Sequence, residues 1–377
     1  MKSIATSISY RHYGGAFLLF VVLMVVTGMG FAKKTVTYHD SWGNGMYRGA
    51  NVSNYNLNVD DFRVLRSWGA DHVRVQITGA LPVVETANGA TFSAESWKKL
   101  DAYIDQIRQA GLKVVVDFHQ NRETFPPAKE GWSKPENITS WIDPARRQRL
   151  VTLWGEIAKH FAADRTEVLG YDILNEPNPP LNADGGKAWN EIVADVVRSI
   201  RHADTYHTII IECPSFGNPD GMNWLQPVSD KAVVYSFHMY YPHRYTHQGV
   251  GNNPTPVNMT YPGLMKLDAG EPVMVDRAWL EHAMQPAIDF QQKTGARFYL
   301  GEFSAIRFAP NNSAAQYLDD VLSLSEAHGW SWCYHAFREW SGWDAEMPTE
   351  KDNTVRQTST DRLDVLKRYF ALAGKKK

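Results

Sequence analysis

Short apolar runs alternate along the chain with longer amphipathic segments from about residue 47 onwards. Eight of these runs are almost continuously apolar, which is typical of strands that are buried on both faces. The predicted strands cover residues 46–53, 72–77, 112–119, 168–176, 208–213, 232–240, 296–304 and 330–337. The pattern therefore predicts a sheet whose strands are covered on both sides.

The amphipathic segments carry helix start and stop signals. Ser93 and Asp143 are candidate N-caps, and Pro144 follows the second cap at the first helical position. The predicted helices cover residues 59–69, 93–111, 143–162, 187–202, 277–295, 313–329 and 359–372. Pro286 is expected to bend or break the fifth helix. Residues 241–271 are rich in Pro, Gly and Asn and are predicted to form an elaborated loop.

Repeated strand and helix units favour a closed parallel (β/α)8 TIM barrel over an open sheet. The alternative, an open doubly wound sheet, typically carries a glycine-rich phosphate-binding loop after its first strand. No G-x-G-x-x-G motif follows the first predicted strand here. Within the 377 residues, no internal linker or repeat interrupts the pattern. We therefore predict a single catalytic domain over residues 33–374.

The first 32 residues have the character of a targeting segment. Basic residues precede an apolar run over residues 14–32, and Gly30 and Ala32 suit cleavage before Lys33. The run approaches the roughly 20 residues that span a bilayer, so an uncleaved membrane anchor is the alternative. Either way, the mature chain is expected outside the cytoplasm, as a secreted or periplasmic protein or as one anchored facing outwards.

Composition narrows the function classes. The chain has 39 basic and 41 acidic residues, which leaves no electrostatic footprint for nucleic acid. Its 13 tryptophans and 17 tyrosines suit stacking on sugar rings. Cys213 and Cys333 lie in apolar runs and are expected to be free buried thiols. No Cys or His spacing typical of a metal site occurs, so we expect no metal. We also expect a monomer without a cofactor.

Polar residues stand where the predicted strands end. In a TIM barrel the carboxyl ends of the strands form the active-site rim. The candidate rim residues are Arg74, His119, Asn175, Glu176, His238, Tyr240, Glu302, Trp332 and His335. Six separate strands thus bring polar or aromatic groups to one rim.

Glu176 and Glu302 end the fourth and seventh strands, which face each other across a barrel mouth. Two carboxyl groups flanking a pocket are the minimum requirement for cleaving a glycosidic bond. One must be protonated to release the leaving group, and the other must be ionised to attack carbon or activate water. Arg74 and Tyr240 could hold one glutamate ionised through charge and hydrogen bonding.

Together, the ordered motifs HVRV, DFH, LNEP, FHMY and GEF resemble glycoside hydrolase family 5, the cellulase-type family of retaining enzymes. The resemblance runs from about residue 47 to the last helix. It implies that Glu176 is the general acid/base, that Glu302 is the nucleophile and that Asn175 binds the sugar 2-hydroxyl. It also implies a supporting group around the cleavage point, made of Arg74, His119, His238 and Tyr240.

The eighth strand departs from the family pattern. Many members place a tryptophan platform there, whereas here Trp332 is followed by His335 at the position of the second aromatic residue. Either His335 contacts the sugar, or a loop tryptophan, Trp340 or Trp343, fills the space. The resemblance implies an endo-acting enzyme on β-1,4-glucan. Alternatives are a β-mannanase, a xyloglucanase, an exo-acting β-glucosidase-type enzyme or an inactive carbohydrate-binding barrel.

Overall fold

A computed structural model describes residues 40–53, 55–77, 81–87, 89–119, 139–162, 164–251, 256–267 and 270–372, with residues 139 and 140 described by their backbone alone. All of them belong to one compact unit, Thr37–Lys377. The predicted targeting segment, residues 1–32, lies outside the described residues. None of the helices in the described part of the chain has both the length and the apolar character needed to span a bilayer.

Eight parallel strands close into a barrel. They are β1 (Arg48–Val52), β2 (His72–Gln76), β3 (Lys113–Asp117), β4 (Val168–Asp172), β5 (Thr208–Glu212), β6 (Val233–Met239), β7 (Arg297–Phe303) and β8 (Ser331–Tyr334). Each strand pairs with its neighbours in chain order, and β8 pairs with β1 to close the sheet. The predicted (β/α)8 TIM barrel is confirmed.

Helices cover the outside of the barrel. They are α1 (Val59–Ser67), α2 (Ala94–Gln109), α3 (Pro144–Phe161), α4 (Ala183–Ala203), α5 (Arg277–Ala283), α6 (Gln285–Thr294), α7 (Ser313–Ala327) and α8 (Asp361–Phe370). Ser93 and Asp143 cap α2 and α3 as predicted, each accepting a backbone N–H. Helix α4 begins at Ala183 rather than at the predicted residue 187, because the side chain of Asn182 caps it by accepting the N–H of Gly185. The predicted break at Pro286 separates α5 from α6.

Apolar side chains fill the barrel interior below the rim. A buried cluster joins one residue from most strands: Val115, Leu169, Ile210, Val234, Tyr299 and Cys333. Trp42 packs edge-on against Tyr299, with ring centroids 5.4 Å apart, and its backbone N–H donates to Thr208 Oγ1. Cys213 and Cys333 are both buried free thiols, as expected. The interior is thus a packed core that supports the polar layer above it.

In the described part of the chain, the loops carry two hairpins, the short helices Thr139–Ile142 and His243–Thr246, and 3-10 helices at Pro219–Trp224 and Pro310–Asn312. Val83–Thr86 pairs with Gly89–Phe92 between β2 and α2, and Gly263–Met265 pairs with Val273–Val275 between β6 and α5. The second hairpin and the short helix His243–Thr246 belong to the region predicted as an elaborated loop. The strand pattern did not predict these hairpins, because each strand has only three or four residues.

Candidate active site

Glu302 lies at the carboxyl end of β7, where the strand is irregular. The pairing register between β7 and β6 shifts between Leu300 and Glu302, and such bulges re-aim side chains next to active sites. A Cβ at Gly301 would meet Ser236 Oγ at 2.8 Å, so the bulge needs a glycine. The side chain of Glu302 is turned into the rim and is almost completely buried.

Glu302 is held between a cation and a phenol. Arg74 Nη1 lies 2.8 Å from Glu302 Oε1, and the Tyr240 hydroxyl donates to Oε2 over 2.8 Å. Burial alone would raise the pKa of Glu302, but the charges of His335, His238 and Arg74 outweigh it and hold this pKa below its usual range. Glu302 is therefore a carboxylate at neutral pH.

Glu176 follows β4 in a left-handed backbone conformation with φ of 48°. Its own N–H donates to Glu212 Oε2 over 2.7 Å, which stabilises this uncommon geometry. His238 Nδ1 lies 3.1 Å from Glu176 Oε1. The Glu176 side chain is 23% exposed, in contrast to that of Glu302 at 5%. Glu176 can therefore exchange protons with solvent.

The two carboxylates are close together. One oxygen of Glu176, one oxygen of Glu302 and one nitrogen of His238 all lie within 4.8 Å of one another. Retaining glycosidases keep their two carboxyl groups about 5–5.5 Å apart, whereas inverting ones separate them by about 6.5–9.5 Å to admit a water molecule. The observed geometry fits the shorter class.

Arg74 organises a buried ionic layer beneath the two glutamates. Its guanidinium contacts Asp117 at 3.0 Å, Asp172 at 2.8 Å and Glu212 at 2.8 Å, in addition to Glu302. Burial, and then the charge of Glu212, raise the pKa of Asp172 to about 7. A single fork-shaped cation thereby fixes carboxylates from four strands.

Asn175 and His119 stand beside this layer. Asn175 Oδ1 accepts from Arg74 Nη2 over 3.0 Å, and its amide nitrogen lies 3.5 Å from His119 Nε2. His119 Nδ1 in turn lies 3.0 Å from Asp117 Oδ2. Burial alone would lower the pKa of His119, but this contact raises it above its usual range. Both side chains are thus fixed with a polar edge facing the pocket.

The glutamates open into a cavity of about 570 Å³. The lining residues that the sequence predicted are His119, Asn175, Glu176, Tyr240, Glu302 and His335. Trp343, one of the two loop tryptophans named as alternatives to His335, also lines the cavity. The other lining residues are Gln76, Phe216, Asn218, His243, His247 and Glu339. Arg74 and His238 are fully buried below the floor, where they contact the glutamates rather than open space.

The prediction that Trp332 contacts substrate is wrong. Its side chain is fully buried and packs against Phe370 of α8, and its indole donates to Glu326 of α7 over 3.0 Å. Trp332 therefore lies on the outer face of β8, between strand and helices. His335 does line the cavity, and Trp343 stands beside it with ring centroids 6.2 Å apart.

Sequence reasoning missed three buried acids, Asp117, Asp172 and Glu212. Each is the last residue of its strand, so position at a strand end was the available signal. Glu212 is the most consequential of them, because it contacts Arg74, His238 and the backbone of Glu176. Glu339 was also missed, because it lies in the loop after β8, where the sequence pattern gives no direction for side chains.

Among the residues that the structure describes, two groups of side chains have the donor atoms to hold a metal ion. Glu176, His238 and Glu302 form one, and Asp117, Asp172 and Glu212 form the other. In the first, both ring nitrogens of His238 already lie within 3.2 Å of carboxylate oxygens. In the second, the guanidinium of Arg74 contacts all three carboxylates. A cation would have to displace these contacts.

A TIM barrel with two facing glutamates at the ends of β4 and β7 defines the site of a glycoside hydrolase. The chain matches the sequence model of the cellulase family (glycosyl hydrolase family 5) over residues 36–344. It belongs to that family, and the protein is a glycoside hydrolase.

Individual relatives have low sequence identity to this chain but match most of its length. Endoglucanase C of Acetivibrio thermocellus is 25% identical over 289 residues, which are 71% of this chain and 80% of the relative. Cellodextrinase A of Ruminococcus flavefaciens is 27% identical over 313 residues, 82% of this chain and 86% of the relative. A crystal structure of Thermotoga maritima Cel5A with cellobiose superposes with a TM-score of 0.69 at 23% identity, over 87% of this chain and 99% of that one. This similarity supports the fold.

Proposed function

We propose that the protein is an exported, retaining endo-β-1,4-glucanase that acts by double displacement. The observation that carries this proposal is the short approach of Glu176 and Glu302, with donor atoms within 4.8 Å, in an arrangement that keeps Glu302 ionised. The names of the relatives, an endoglucanase and a cellodextrinase, support a β-glucan as substrate.

Glu302 is the nucleophile in this proposal. Its ionised oxygen attacks the anomeric carbon, and the bond from that carbon to the leaving oxygen breaks as a covalent glycosyl-enzyme ester forms. Arg74 and Tyr240 each contact one oxygen of Glu302 and so set its orientation before attack. Both contacts also stabilise the carboxylate when it leaves the ester in the second step.

Glu176 is the general acid and then the general base. It gives its proton to the leaving oxygen in the first step and takes a proton from the attacking water in the second. Its contact with His238 and its partial exposure support both roles, since the group is oriented and still reaches solvent. Asn175 is proposed to bind the 2-hydroxyl of the sugar, where strengthening hydrogen bonds favour the transition state. His119, at the edge of the same cavity, is proposed as a further sugar contact.

Glu302→Ala tests the nucleophile. Turnover of a β-1,4-glucan should fall by about five orders of magnitude, because no ester can form, and azide should restore part of the activity on an activated aryl β-cellobioside. The azide product should have the inverted anomeric configuration by NMR. Near-normal activity of Glu302→Ala would contradict the assignment.

A panel of β-glucan, mannan and xyloglucan on the wild-type enzyme tests the substrate, and faster cleavage of mannan would overturn the choice of glucan.

Glu176→Ala is the matched variant. Its activity should fall strongly on glucan, whose leaving group needs a proton, and much less on an aryl glycoside with a good leaving group. Equal losses on both substrates would contradict the acid role.

Export rests on residues 1–32, and N-terminal sequencing of the protein recovered outside the cytoplasm tests it. Recovery of the whole chain in the cytoplasm would contradict export.

A further inference from the structure

A second cavity adjoins the catalytic one. It has a volume of about 440 Å³, and His243 lines both cavities. Its other walls are Tyr241, Pro242, Arg244, Leu267, Trp279, His282 and Ala283. The two cavities therefore meet at the exposed side chain of His243, and together they are called the groove here, with the glutamates lining one end and Trp279 of α5 lining the other.

The second cavity lies on the side of Glu176. Its wall is hydrogen-bonded to Asp220 of the segment after β5, and in that segment the N–H of Phe216 donates to the carbonyl of Pro177, which directly follows Glu176. The charge of Glu176 also acts on His243, where it offsets part of the lowering of the His243 pKa that burial causes. In a retaining glycosidase the acid protonates the departing chain, so that chain leaves over the acid. On the proposed function, the groove beyond His243 is therefore the path of the leaving-group end of the polysaccharide.

The groove is built from braced elements. His243 stacks on His247 with ring centroids 3.8 Å apart and planes 9° from parallel. The Tyr241 hydroxyl donates to Asp220 over 3.0 Å, and Arg244 donates to the carbonyl of Leu267 over 3.2 Å. The hairpin that ends at Val275 leads directly into α5 and fixes the start of the helix that carries Trp279. The walls are thus held by contacts within the loop region between β6 and α6 and by one contact with the segment after β5.

Trp279 is the distinctive member of the wall. Its side chain is half-buried against the apolar core. Among the residues that the structure describes, no aromatic ring packs on the Trp279 ring, whereas Trp97, Trp141 and Trp340 each meet another ring. A flat indole beside polar groups such as Arg244 and His282 is suited to the apolar face and the hydroxyl edge of a pyranose.

We propose that Trp279 is the stacking platform of a subsite for the leaving-group chain, which takes a β-linked glucose residue beyond the first one released. This inference rests on the proposed function, since it uses the polarity of the groove that Glu176 sets. It adds to that function a preference for long chains, because only a chain that passes His243 reaches Trp279. The subsite therefore favours endo cleavage.

The test compares two substrates of different reach. Cellohexaose can extend past His243, whereas 4-nitrophenyl β-cellobioside places only its aryl group on the leaving side. Trp279→Ala should lower kcat/KM for cellohexaose about three- to tenfold, in keeping with the energy of aromatic contacts, and leave that for the aryl cellobioside unchanged. Trp279→Phe should restore part of the loss. Trp97→Ala is the control, because Trp97 is equally half-buried but stacks on His160 of α3.

Binding provides a second measurement. In the Glu302→Ala background, cellohexaose measured by calorimetry should bind more weakly by the same factor when Trp279 is also replaced. An unchanged ratio of the two kcat/KM values in Trp279→Ala, or an equal fall on both substrates, would overturn the subsite while the proposed function stands. Failure of the wild-type enzyme to cleave either cello-substrate would overturn the proposed function, and the subsite with it.

Discussion

His335 stands where the family resemblance implies an aromatic platform, and it contacts the proposed nucleophile. Its Nδ1 lies 3.4 Å from Glu302 Oε2, and its Nε2 lies 3.9 Å from Glu339 Oε1. Nδ1 is buried and has no hydrogen-bond partner among the described residues. The imidazole therefore acts on Glu302 chiefly through its charge, which makes the largest contribution to lowering the pKa of that carboxyl against the effect of burial.

His335→Gln should move the acidic limb of the pH profile. Glutamine has a similar reach but carries no charge, so the pKa of Glu302 should rise toward its ordinary value. The nucleophile would then become protonated at higher pH, and the acidic limb of kcat/KM should shift upward. The measurement is kcat/KM on an aryl cellobioside between pH 3 and pH 8. An unshifted limb would show that the charges of His238 and Arg74 suffice to keep Glu302 ionised.

At the scale of the element, the alternation of faces along β8 explains the error over Trp332. Successive side chains of a strand point to opposite faces, and Cys333 belongs to the interior cluster. Trp332 must then face the helices, while His335 shares the inward face with Cys333. The apolar run predicted the strand correctly. Because both faces of such a strand are apolar, the run alone could not show which residues point inwards.

The same limit applies to the other strands. Eight apolar runs and their helices were predictable because burial on both faces and 3.6-residue periodicity leave clear signals. Glu176 and Glu302 were predictable because they interrupt such runs at strand ends. The contacts of Arg74 with Asp117, Asp172 and Glu212 were not, since they join four strands far apart in sequence. The loop carrying His243 gave no periodic signal, and the helical pattern of 277–295 did not show that Trp279 lines a cavity.

β5 acts on β4 through Glu212. Glu212→Gln removes the negative charge that receives the N–H of Glu176 and contacts His238. We expect kcat to fall about ten- to a hundredfold, equivalent to the ~1.5–3 kcal/mol of a hydrogen bond to a charged group. KM should change little, because Glu212 does not line the cavity. Steady-state kinetics on a soluble β-glucan measures this split.

Glu326→Gln is the control for Glu212→Gln. Glu326 also forms a short ion pair, 2.7 Å from Arg48, but on the outer side of the barrel. Its replacement should leave kcat unchanged even if stability falls. Wild-type kcat in Glu212→Gln would mean that the left-handed backbone of Glu176 is held without the carboxylate of β5.

On the scale of the whole molecule, the buried acids affect stability in opposite directions. The pKa of Glu302 is lowered in the folded state, so its contribution is present above the ordinary pKa and is lost as the pH falls. The pKa of Asp172 is raised, first by burial and then by Glu212, from 3.8 to about 7. Between pH 4 and pH 7 the folded protein therefore keeps a proton that the unfolded chain releases, and this contribution to stability is lost as the pH rises.

Asp172→Asn should remove that dependence, because asparagine does not ionise and its side-chain oxygen can still accept from Arg74. Relative to wild type, the free energy of unfolding of the variant should increase by up to about 1.4 kcal/mol per pH unit from pH 4 to pH 7, so the variant becomes relatively more stable as the pH rises. Urea unfolding at several pH values measures the difference, in which the contribution of Glu302 cancels.

Asp204 provides the contrast. Although burial opposes it, the contact with His207 lowers the pKa of Asp204 to about 2, so the titration of Asp204 itself affects stability only below pH 4. If the difference between Asp172→Asn and wild type were constant from pH 4 to pH 7, Asp172 would be ionised throughout this range, and Arg74 would be balancing all four buried carboxylates at once.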